Sequence, residues 1–130
     1  MKNTITVTIT SLLTILFATF HLADDIARGF SPGGFSNLAA ILFLVVWLYA
    51  TVVLPERRSG LVIILVGSLL ASGLPVIHMT GKGLGGGRIA GSSGAFFFVW
   101  TLIAAGVTAI FSLILSARGL WSLRRGQPRS

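Results

Sequence analysis

The chain alternates long apolar stretches with short polar breaks, and its charges sit in the breaks. Charge-free runs cover residues 3–23, 29–55, 59–81 and 89–117. A hydrocarbon core of ~30 Å is crossed by about 20 helical residues, each rising ~1.5 Å. All four runs reach that length, so the pattern predicts four membrane spans. A backbone N–H or C=O left unpaired in lipid costs several kcal/mol, which admits only helices or closed barrels. Barrel strands would alternate polar and apolar over ~10-residue segments. These runs are uniformly apolar, so the predicted fold is all-α: an integral membrane bundle of four transmembrane helices, one domain over 1–130.

Local signals place the helices at about 4–23, 36–54, 60–78 and 95–117, followed by a basic tail, 118–130. Ser36 or Asn37 is the expected cap of the second helix, after the turn Ser31-Pro32-Gly33-Gly34. Pro55 ends that helix at Leu54, because the residue before a proline avoids the helical region. Pro75 is expected to kink or loosen the last turn of the third. Phe96, Phe97, Phe98 and Trp100 open the fourth and suit an interfacial aromatic belt. Thr4, Thr6, Thr8 and Thr10 alternate like a strand. The run nevertheless continues apolar to Leu22, and threonine can return its hydroxyl to a carbonyl one turn back, so helix is preferred. Lys2 and the apolar run after it resemble a signal peptide, but the run is long and lacks a small-residue cleavage site. An uncleaved anchor is expected.

Composition agrees with lipid as the solvent: 54% of residues are hydrophobic and 10% charged, against roughly a quarter charged in soluble domains. Ten Lys and Arg against three acids give a net charge of +7. The basic residues flank spans or lie in the tail, where anionic headgroups meet them, so the expected partner is the lipid bilayer and no nucleic acid. With four crossings, both termini share a side with the loop between helices 2 and 3. That side carries Lys2, Arg57, Arg58, Arg118, Arg124, Arg125 and Arg129; the other carries Arg28, Lys82 and Arg88. The bias puts both termini in the cytoplasm. Cysteine is absent, which excludes disulfides, thiolate metal sites and palmitoyl anchoring.

This topology brings distant polar residues together. His21 lies 18 positions after Asn3, and His78 lies 18 after Gly60 (21 − 3 and 78 − 60). Helices rising from the same side at the same rate bring both imidazoles to one depth. If helix 1 continues past His21, Asp24 and Asp25 fall on its face at i+3 and i+4, and Arg28 follows Asp24 at i+4. His21, Asp24, Asp25 and His78, supported by Arg28, are therefore the candidate ligands at the outer mouth of the bundle. Two imidazoles and two carboxylates suit a divalent transition metal; a haem between the histidines is a thinner alternative. The same groups could relay protons, act as a base and its orienter in a small membrane enzyme, or form a structural clasp between helices 1 and 3.

The stretch 81–94 holds seven glycines with Lys82 and Arg88. It lacks the Gly-Lys-Ser/Thr ending of a phosphate loop and reads as a flexible cover for the outer site. Gly67 with Ala71, Ser68 with Ser72, and Ala105 with Ala109 form small-xxx-small pairs, which favour close helix packing within the chain or in a homo-oligomer or larger membrane complex. Leu120, Trp121 and Leu123 among arginines read as a short interfacial anchor.

In span number and size the chain is similar in outline to small multidrug transporters, but their first-span carboxylate has no counterpart within residues 4–23. The strings FHLADDIARGF, FFFVWTLIAAG and ILSARGLWSLR resemble those of uncharacterised small bacterial four-helix membrane proteins. That resemblance implies four spans in a bacterial plasma (inner) membrane and no particular activity. A binding, sensory or assembly protein needs the fewest assumptions.

Overall fold

A computed structural model describes residues 2–31, 33–80, 89 and 91–126. Among these the chain forms four helices and no strand: α1 (Lys2–Ala27), α2 (Phe35–Val53), α3 (Arg58–Thr80) and α4 (Ala95–Arg124). Each is long and apolar enough to cross a bilayer. The protein is a multi-pass membrane protein, all-α, with four spans. The glycine-rich stretch 81–88, and with it Lys82 and Arg88, lies outside the described residues.

α4 packs along α3 and α1, and α2 leans on the opposite side of that pair. Only Trp47, Ala50 and Thr51 of α2 are buried, and a row of its leucines and valines, from Leu38 to Val53, is exposed. In water that surface would be prohibitive; in lipid it is the ordinary outside of a span.

The helices are held by close approach and by buried hydroxyls, since lipid removes most of the hydrophobic drive for one helix to meet another. Between α1 and α2, the Trp47 Nε1–H donates to Ser11 Oγ at 2.9 Å. Ser11 lies 2.8 Å from Thr51 Oγ1, whose own proton goes to the Trp47 carbonyl at 2.9 Å. Because the Thr51 proton is committed, Ser11 must be the donor to Thr51, and the three residues close a ring of hydrogen bonds. Between α3 and α4, Ser68 donates to Ser112 at 2.8 Å, and both are fully buried.

Small residues work as expected, and their partners lie within the chain. A Cβ on Gly67 would sit 2.4 Å from the Trp47 ring, and one on Gly106 would sit 2.6 Å from Pro75 Cγ. Ala71, Ala105 and Ala109 are buried, whereas Ser72 is half-buried and turns its hydroxyl back to Leu69 in an exposed hydrogen bond. The threonines of α1 do the same: Thr10 bonds the Thr6 carbonyl, Thr14 that of Thr10 and Thr19 that of Ile15. The strand-like alternation of threonines lies within α1, and Thr10 at its end makes this back-bond.

Several helix ends differ from the sequence reading. α1 continues through Asp24 and Asp25 to Ala27, because both carboxylates find cationic or imidazole neighbours on the same helix. α2 starts at Phe35, with Gly34 as its cap at φ 58°, a left-handed value suited to glycine. Ser36 and Asn37 therefore fall inside the first turn, and Asn37 accepts from the Ser31 hydroxyl instead of capping. α3 runs through Pro75 to Thr80, the proline ring being seated against Gly106. α4 continues past Ala117 to Arg124, so the supposed separate anchor is its last two turns. Arg125 caps the helix at φ −88° and ψ 2°, stacked over Trp121 at 4.9 Å, and Gly126 follows in the left-handed region at φ 63°. Phe96, Phe97 and Trp100 are exposed like a belt, but Phe98 is fully buried.

Candidate metal centre

One rim of the bundle gathers the end of α1, the end of α3 and the start of α4. The register of α1 turns His21 inward, 2% exposed, and sets Asp25 one turn further on, 16% exposed. His78, near the end of α3, is 20% exposed. His21 Nε2 lies 3.4 Å from His78 Nε2. Asp25 Oδ2 lies 3.4 Å from His78 Nε2 and 3.8 Å from His21 Nε2. The second carboxylate oxygen, Oδ1, is buried with no hydrogen-bond partner.

The other ring nitrogens fix which way the protons point. His78 Nδ1 is 2.9 Å from the Leu74 carbonyl one turn back. A carbonyl only accepts, so Nδ1 carries the hydrogen and a neutral His78 has a bare Nε2. His21 Nδ1 is 3.3 Å from Thr101 Oγ1. The Thr101 hydroxyl donates to the Phe97 carbonyl at 2.9 Å, leaving its oxygen to accept from Nδ1–H. A neutral His21 likewise has a bare Nε2. Two nitrogen lone pairs and a carboxylate oxygen thus converge with no hydrogen among them. With both rings neutral, three acceptor atoms of three residues therefore face one another.

Phe98 forms the wall behind the imidazoles, its ring centroid 4.7 Å from that of His21 and 5.7 Å from that of His78. Nothing in the run of three phenylalanines marks Phe98 as different from its neighbours; the register of α4 against α1 selects it. Thr101, one turn later, was equally invisible in the sequence because several threonines of the spans bond only to carbonyls of their own helix.

No family model, no curated protein and no solved structure matches this chain. The site must therefore be understood from its own chemistry.

Of the residues singled out in the sequence, His21, Asp25 and His78 come together as a possible ligand set. Asp24 does not join them. Its Oδ2 accepts from Arg28 Nε at 2.7 Å, and the carboxylate is committed to that pairing. Arg28 also donates to Ser92 Oγ at 2.8 Å, and Ser92 donates to the Ile89 carbonyl at 2.9 Å. Arg28 thereby ties the end of α1 to the segment that leads into α4. Its guanidinium lies 5.7 Å from the Phe98 ring centroid, which connects this polar latch to the wall of the site. Because α1 continues to Ala27, both aspartates lie within its span, not beyond the end of the helix. They remain at the rim, far from the middle of the span.

Proposed function

We propose that this protein binds a divalent transition ion through His21 Nε2, His78 Nε2 and a carboxylate oxygen of Asp25. The observation that carries the reading is the spacing of the three atoms. Ligands held at ~2.0–2.1 Å around a tetrahedral ion lie about 3.3 Å from one another. The observed separations are 3.4, 3.4 and 3.8 Å. A shared proton would instead draw one pair to ~2.7–2.9 Å, the usual length of a charge-assisted hydrogen bond. Both imidazoles also have the outer partner that orients a metal-bound histidine, Thr101 for one and the Leu74 carbonyl for the other. Asp25 Oδ1, buried and unpaired, is available to the same ion.

Haem fits poorly. Two axial nitrogens must stand about 4 Å apart across the iron, twice a ~2.0 Å bond, with a macrocycle between them, whereas here the two Nε2 atoms are 3.4 Å apart and Asp25 Oδ2 lies within 3.8 Å of both.

The ion sits at the rim opposite the loop between α2 and α3. The distribution of Lys and Arg supports placing that rim outside a bacterial plasma membrane, with both termini in the cytoplasm. Three protein ligands leave a position open, so the site is equipped for binding or for activating a bound molecule, beyond a purely structural clasp. The direct test is elemental analysis of purified protein. One zinc, iron or comparable ion per chain, lost in His21→Ala and His78→Ala, is expected; metal-free protein whose stability is unchanged in both variants would overturn the proposal.

A further inference from the structure

The site opens inward along the bundle. A cavity of about 210 Å³ lies between α1, α2 and α3, running from His21 and Asp25 at one end to Trp47 and Gly67 at the other. Apart from His21 and Asp25, its walls are alanine, leucine, phenylalanine, tryptophan and glycine side chains. Apolar cavities offer water no partners and stay dry or take apolar guests. One side is open, and Leu70 in its lining is 58% exposed on the span of α3. A guest can therefore enter from the bilayer without crossing water. Two of the three metal ligands stand at the cavity's end, so a molecule lying in it presents its terminal group to the ion.

We propose that the cavity takes the hydrocarbon chain of a single-chain lipid whose oxygen-bearing head, a carboxylate or hydroxyl, completes the coordination of the metal. The inference deepens the metal reading and rests on it. Its chemistry follows from the two ends: one hard, charged and short, the other long and oily. A cavity of this size holds part of one chain rather than two.

Trp47 makes the proposal measurable. With Trp100→Phe and Trp121→Phe, it becomes the sole tryptophan of the three in the chain. The Co²⁺-loaded protein in detergent is titrated with stearic acid brominated at mid-chain, bromine being a contact quencher of indole. Saturable quenching is expected, reversed by unbrominated stearate, with the visible Co²⁺ bands shifting at the same midpoint. Ala40→Phe, which narrows the cavity from α2 and replaces none of the three ligands, should abolish the saturable part while keeping full Co²⁺ stoichiometry. Quenching that never saturates and is unchanged by Ala40→Phe or by competitor would overturn the proposal. Saturable quenching with unmoved Co²⁺ bands would overturn the role of the head. If the protein holds no Co²⁺, the metal reading falls by that measurement alone, and the quenching titration still decides whether the chain enters.

Discussion

His21 and His78 stand 57 positions apart in the chain, yet their Nε2 atoms face each other at 3.4 Å while each Nδ1 is turned to a partner of its own. That relationship depends on what holds each ring from behind. For His21 the holder is Thr101 on α4, a helix that contributes no metal ligand. Thr101→Val keeps the shape and removes the acceptor, so the His21 ring loses its preferred tautomer. Outer-shell losses of this kind weaken metal binding ~10–100-fold. A competition titration against a chelator of known affinity should show that loss in Thr101→Val. In Thr108→Val, further along the same helix and bonded only to carbonyls of its own turn, affinity should be unchanged.

The adjacent aspartates divide the work between them. Asp24 neutralises Arg28, and Asp25 faces the imidazoles. Asp25→Asn should cut metal affinity by at least the ~10-fold typical of a lost outer partner, since here a charged ligand disappears. Asp24→Asn should leave the metal bound at full stoichiometry and loosen the link between Arg28 and Ser92. Faster proteolysis or hydrogen exchange in the segment before α4 would report it. Equal metal loss in the two variants would contradict the division.

How far the sequence reaches can be judged at these same residues. Four spans were legible because lipid imposes one simple demand on length and polarity. The two histidines were legible as neighbours because helices rise at a fixed rate from a shared side. Rotation about the helix axis was not. Asp24 and Asp25 differ by one position, about 100° around a helix, and nothing in a single chain says which one faces inward. The same ignorance applied to Phe98 among three phenylalanines. Helix ends failed for a related reason: charges at 24 and 25 look like a stop, yet His21 and Arg28, each four positions away along the chain, pair with them as the helix runs on.

Trp47 is held by a ring of hydrogen bonds that can be opened one member at a time. Ser11→Ala removes the acceptor of the indole N–H and the donor to Thr51. Interhelical hydrogen bonds in membranes average ~0.6 kcal/mol and reach ~1.7. Because two bonds are lost and a buried N–H is left without its acceptor, the upper part of that range is expected. Reversible unfolding in mixed detergent should show it, and Ser72→Ala, at an exposed hydroxyl, should be neutral.

Close approach is the other source of stability, and it predicts a pairwise coupling. Gly67→Ala puts a methyl group 2.4 Å from the Trp47 ring, an overlap that must be relieved by moving α2 against α3. Overpacking of this kind costs ~1–3 kcal/mol. Shortening the opposing side chain should relieve it, so Gly67→Ala in a Trp47→Leu background should cost markedly less than in the native chain. A coupling of ~0.5–3 kcal/mol in the double-mutant cycle is the expected signature of two groups in contact. Additive effects would mean that the helices do not meet at this point.

The orientation of the rim can be tested cleanly because the chain has no cysteine of its own. A single thiol introduced at Arg57, in the turn between α2 and α3, should lie on the same side as one at Ser122 near the end of α4. A thiol at Phe35, 84% exposed at the start of α2, should lie on the opposite side, with the histidines. If the Lys and Arg bias sets the topology, a membrane-impermeant maleimide added to intact cells should label Phe35→Cys. It should reach Arg57→Cys and Ser122→Cys only after the membrane is permeabilised. The reverse pattern would move the proposed metal site to the cytoplasmic face, where its ion would be drawn from a different pool and its lipid chain from the inner leaflet. Labelling of Arg57→Cys and Phe35→Cys from the same side would be graver, because an up-and-down bundle cannot place successive helix ends on one surface.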